Sequence, residues 1–105
     1  MRMKNHDELD LIGDNNETIT VAVTANGAVV NFVLNGQAWP GGSFVLDRNV
    51  APVFKLLAQT TYQGASGGHC QIRISGSNDG DVSVHDEVQA QGEAFDAVVY
   101  KFTIV

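Results

Sequence analysis

The sequence predicts an all-β protein, a single-domain antiparallel β-sandwich of about seven or eight strands, of immunoglobulin-like or jelly-roll type. Three observations predict it. β-Branched and aromatic residues recur at period two through most of residues 17–105, turn residues break that alternation about every 8–12 residues, and no window sustains a helical period. A small closed barrel is the second choice. A chain of 105 residues, 44% hydrophobic, suits one domain that buries a core without disulfides or a structural metal.

Residues 1–16 form a polar N-terminal segment ahead of the sandwich domain, 17–105. Asn5 and Glu8 are spaced like a helix-start capping pair before Leu9, Leu11 and Ile12, which allows one short helical turn. Leu9 and Leu11 also alternate with Asp10, which allows a short strand, and Gly13 to Asn16 ends either.

Thr18 to Thr24 alternates Ile19, Val21 and Val23 with threonine and alanine, the pattern of a half-buried strand. Asn26-Gly27 offers the positive-φ pair of a tight hairpin turn, so Ala28 to Leu34 is expected to return as its partner. That return strand is apolar on nearly both faces, as a central strand is. Asn35-Gly36 opens a second turn, Trp39-Pro40-Gly41-Gly42 makes a loop, and Ser43 to Asp47 reads as a strand with Phe44 and Leu46 on one face.

Val53 to Tyr62 fits an alternating strand or, after Pro52, one helical face. Strand is preferred because Gln59 to Tyr62 is poor in helix formers. Gly64 to Gly68 reads as a loop. In His69 to Ser75, Cys70, Ile72 and Ile74 share a face. Gly76 to Gly80 is the strongest turn in the chain, and Asp81 to Val88 resumes the alternation with Val82 and Val84 inward. The final run places Val98, Tyr100, Phe102 and Ile104 on one face, with Phe95 out of phase, which predicts a bulge near Asp96-Ala97.

Charge excludes several roles. Net charge is −6, residues 18–73 are slightly basic, and Ile74 to Tyr100 holds acids and no Lys or Arg. Six scattered bases cannot build the footprint that displaces phosphate counterions, so neither nucleic acid nor an anionic membrane surface is an expected partner. A cationic partner or a metal cation is compatible with the acidic balance, though solubility alone accounts for it. No basic stretch leads into an apolar one as in a secretory signal, and Cys70 is the only cysteine, so a cytoplasmic location is expected. Without such a signal the Asn16-Glu17-Thr18 glycosylation pattern reads as a chance match.

No catalytic motif stands out, and a non-enzymatic role without cofactor is expected. Cys70 would need a histidine as base, yet His69 is its strand neighbour and points the other way, while His6 and His85 are distant in sequence. Two constellations remain as binding candidates. Asn78, Asp79, Asp81, Asp86 and Glu87 could supply several of the six to eight oxygens that calcium wants, although the spacing is not that of an EF-hand. The competing reading is that Asn and Asp bond their own turn. Trp39, in its Pro-Gly-Gly loop, either plugs the end of the sandwich or offers a platform for a sugar ring, with Tyr62 beside the other glycine-rich loop.

The sequence therefore supports a non-catalytic interaction or assembly domain, a homodimer or a partner of another protein. The alternative is a binding module for carbohydrate or calcium. The final strand, Ala97 to Val105, carries one charge, Lys101. At a sheet edge it would drive self-association, whereas a central place would satisfy its backbone within the monomer.

Overall fold

The computed structural model describes residues 2–5, 8–62, 67–80, 82–89 and 94–105, with side chains described at 8–61, 68–80 and 97–105. Strands β1 (Arg2–Asn5), β2 (Leu9–Gly13), β4 (Ala28–Leu34), β5 (Gln37–Trp39), β7 (Val53–Tyr62) and β10 (Ala94–Ile104) form the larger sheet. Strands β3 (Thr18–Asn26), β6 (Gly42–Val45), β8 (Gly67–Ser75) and β9 (Val82–Gln89) form the smaller one. The two sheets pack as a single-domain β-sandwich, with no helix among the described residues. Eight of these strands, β3 to β10, lie in residues 18–104.

The larger sheet runs β10-β7-β4-β5, with β1 and β2 both parallel to the outer side of β10; the smaller runs β6-β3-β8-β9. The alternation read from sequence decides which side chains face between them. Ile19, Leu46, Leu56, Ile74, Tyr100 and Phe102 are fully buried, joined by Val21, Phe32, Phe44, Phe54, Cys70, Ile72 and Val98. Each fully buried side chain of this kind stabilises the fold by about 1.5–3 kcal/mol relative to exposure. Cys70 sits in the core between the sheets and takes part in no disulfide.

Residues 53–62 form a strand paired on both sides, with β4 and with β10. The N-terminal segment also resolves in favour of strand, since Leu9–Gly13 pairs in parallel with Tyr100–Ile104 and buries Leu11. Gly67 and Gly68 belong to β8 rather than to a loop, while 63–66 lie outside the described residues. The side chains of Val82 and Val84, expected to face inward, also lie outside them.

Two sequence expectations are corrected, and an alternative left open is decided. Asn26-Gly27 does not close a hairpin: β3 pairs with β6 and β8, β4 pairs with β5 and β7, and the dipeptide is the corner where the chain changes sheet. A two-residue hairpin turn of this kind needs positive φ at both central residues. Gly27 has it at 69°, but Asn26 is not among the positive-φ residues. The corner is fitted closely against β8, because a Cβ on Gly68 would stand 2.7 Å from the Gly27 carbonyl oxygen and 2.8 Å from that of Asn26. The hairpin forms one dipeptide later, at Asn35 (φ 49°) and Gly36 (φ 82°), with Leu34 opposite Gln37.

The second correction concerns β10, which contains no bulge against β7. Its register is unbroken from Ala94 opposite Tyr62 to Thr103 opposite Val53, so Phe95 keeps the parity of Val99 rather than that of Val98. On its other side Asn5 is opposite Ala97 and Leu9 opposite Tyr100, and residues 6 and 7 between them lie outside the described residues. The same pairing decides between the two places open to the final strand. β10 lies between β7 on one side and β1 and β2 on the other, which pair with Ala94–Ala97 and Tyr100–Ile104, so it has a neighbour on both sides and is not the edge strand of the sheet.

Candidate functional site

The acidic turn is built into the fold through β2. Asn78 N–H donates to the Ile12 carbonyl at 2.7 Å, and Ile12 N–H donates to the Asp79 carboxylate at 2.7 Å. Asn78 Nδ2 donates to Asp14 Oδ1 at 3.1 Å, while Ser77 Oγ and Gly80 N–H close the turn on itself. The β8–β9 turn of one sheet thereby covers the outer edge of β2 in the other. Asp81 lies outside the described residues. Asp86 and Glu87 are placed on β9 opposite Cys70 and His69, and four residues of strand, about 13 Å, separate Val82 from Asp86. The fold gathers Asn78 and Asp79 with Asp14, and carries Asp86 and Glu87 away along the hairpin. Among the described residues no group of three His, Cys, Asp or Glu is arranged to hold a metal ion.

Trp39 is half-buried and welds the sheets together at the β5–β6 end. Its ring meets Phe32 edge-on at 5.6 Å and Phe44 at 5.5 Å, and Phe44 in turn contacts Phe102 at 5.5 Å and lies parallel to Phe54 at 6.1 Å. Phe44 comes from the smaller sheet and the other rings from the larger, so the cluster bridges the two sheets through the edge-on contacts that aromatic pairs favour. One side of Trp39 still borders an open concavity of about 470 Å³, together with Val30, Asn31, Phe32, Val33, Ala38 and Pro40. Tyr62 is not near it. From Phe32, opposite Trp39, the register leads to Ala58, and Tyr62 is four residues further along β7. Their backbones are about 13 Å apart along the strands and about 9.5 Å across them.

A feature of composition acquires a place only in the fold. From Thr18 to Leu46 the chain has no Asp, Glu, Lys, Arg or His. That stretch is β3, β4, β5 and β6, which together form one lateral wall of the sandwich, the β4–β5 side of one sheet beside the β3–β6 side of the other. Its edges are incompletely paired. β6 covers β3 only at Thr18–Val21, and β5 covers β4 only at Phe32–Leu34. Among the described residues, no strand therefore covers 22–26 and 28–31, on either side of the Gly27 corner, along that wall. Val23 (41%), Val29 (44%) and Val45 (48%) are exposed there. Counting charges in large blocks hides this signal; a scan for the longest uncharged run would have found it.

No helix of the described residues is long and apolar enough to cross a membrane. Compared with known proteins, the chain matches no family model, no curated protein and no solved structure.

Proposed function

We propose that this is a non-catalytic assembly domain that self-associates through the charge-free wall of β3 to β6. The observation that carries the reading is an open sheet edge without a single charged side chain on a protein of net charge −6. Exposed edges are ordinarily protected by lysine, proline or inward-pointing charge, because unpaired N–H and C=O groups recruit other strands. Here the charges lie elsewhere in the sequence, so this wall can be buried without desolvating an ion.

Carbohydrate and calcium draw weaker support. The concavity beside Trp39 offers the Asn31 amide and the Trp39 indole N–H as its only polar side-chain groups, where a sugar needs several directed hydrogen bonds. The Asp79 carboxylate already accepts a backbone N–H.

Sedimentation equilibrium tests the assembly reading. The mass should exceed that of one chain and rise with concentration. Association through a neutral wall should tighten as salt goes from about 0.01 to about 1 M, because the Debye length shrinks from about 30 to about 3 Å and the repulsion between acidic copies is screened. A monomer at every concentration and salt level would overturn the proposal.

A further inference from the structure

We infer that the wall pairs with a second copy of this chain through β4, antiparallel and about a twofold axis at Val29, so that the larger sheets of two molecules become continuous. The pairing rests on the self-association proposed above and gives it a register.

The direction of the backbone groups along β4 sets that register. Asn35 N–H donates to the Lys55 carbonyl at 2.9 Å, and Lys55 N–H donates to Asn35 Oδ1 at 2.8 Å, so the main-chain N–H of Asn35 points toward β7. Hydrogen-bonding direction alternates along an antiparallel strand. Val33, Asn31 and Val29 therefore point their groups toward β7, and Leu34, Phe32, Val30 and Ala28 point theirs toward β5. At Leu34 and Phe32 a β5 residue stands opposite. Ala28 and Val30 have no β5 residue opposite, and their N–H and C=O groups face outward.

A twofold axis at Val29 places Ala28 of each copy opposite Val30 of the other. Each such pair exchanges both its bonds, giving about four hydrogen bonds across the junction, with the two Val29 residues as the close non-bonded pair between them. Shape selects a second copy over an unrelated strand. The gap along β4 is bounded by Trp39-Pro40 at one end and by the Gly27 corner at the other, so a long foreign strand would meet β5. In the twofold arrangement the Gly27 corner of one copy falls opposite Asn31 of the other and meets the Trp39-Pro40 end of its β5, at the point where each chain leaves one sheet for the other. The outward face of the junction is Val29 flanked by Asn31, and nothing charged enters it from either chain's wall.

A strand junction of this length belongs to the small end of interface sizes, so association is read from about 10 to about 500 μM. Val29→Lys should raise the dimer dissociation constant at least about tenfold, as should Val29→Asp, because like charges meet directly at the axis. Val29 is exposed, so both variants should retain the β-sheet circular dichroism of the parent. An equimolar mixture of the two should dimerise again, since only an axis at this residue sets lysine opposite aspartate. Val50→Lys, exposed in the turn that follows β6 and outside the wall, should leave the dimer intact. If the parent dimerises and Val29→Lys does not weaken it, or the mixture fails to recover, the β4 junction is wrong while the assembly reading stands. If the parent is a monomer throughout, both fall.

Discussion

Asp79 shows how a residue with the look of a ligand serves as a structural acceptor. Its carboxylate takes the N–H of Ile12, and the neighbouring Asn78 occupies the Ile12 carbonyl, so one turn satisfies both groups of an outer-strand residue. Asp79→Ala should cost about 0.5–1.5 kcal/mol by removing that acceptor, a fall of several degrees in melting temperature for a domain of this size. Asp79→Asn keeps an oxygen in the same place and should melt close to the parent. Thermal denaturation of both proteins, repeated in millimolar calcium, checks the assignment. A calcium-dependent rise in the parent that vanishes in Asp79→Asn would return the turn to the role of a metal site.

At the scale of elements, two Asn-Gly dipeptides nine residues apart do different work. Asn35 lies at φ 49° and its side chain accepts the Lys55 N–H, so it supplies both the turn conformation and a bond to β7. Asn26 supplies neither; its strand runs on to a corner and changes sheet. Asn35→Ala should therefore destabilise by about 1–2 kcal/mol, from left-handed strain and a lost hydrogen bond. Asn26→Ala should stay within about 0.5 kcal/mol of the parent, as exposed substitutions away from special geometry do. Urea denaturation of the two variants checks the contrast, and equal effects would contradict the corner. The reason the nearer turn does not close is pairing further along the chain. Ile19 and Val21 of β3 lie on the face that β8 extends with Ile72 and Ile74, while Phe32 and Leu34 of β4 align with Ala58 and Leu56 of β7. Two sheets facing each other bury these rows together, which one local ribbon cannot do.

At the scale of the whole molecule, the polar start of the chain is joined to the sandwich. β2 pairs with the last strand, buries Leu11, and receives the β8–β9 turn on its outer side. Val105 N–H donates to the Gly13 carbonyl, which ties the two ends of the sequence together. Deleting residues 1–16 should cost at least the 2–5 kcal/mol typical of emptying one buried leucine site, and it also bares the edge of β10. The shortened chain should lose its cooperative thermal transition or precipitate on refolding. A sharp melt within a few degrees of the parent would show that 17–105 is sufficient alone.

The sequence by itself determined what a strand period can carry. It specified the all-β class, the faces that bury Ile19, Cys70, Ile72, Ile74, Tyr100 and Phe102, and the strand at 53–62, because a side chain's side of a sheet depends only on its parity. Tertiary structure alone decided which strands are neighbours. The same parity suits β3 beside β4 or beside β8, and a positive-φ glycine suits a hairpin or a corner, so choices separated by small local energies were settled by the shared burial of two sheets. The candidate site follows the same division. The absence of charge from Thr18 to Leu46 is written in the residues, but that those residues form one wall, with open edge on both sides of Gly27, exists only once the sheets are assembled.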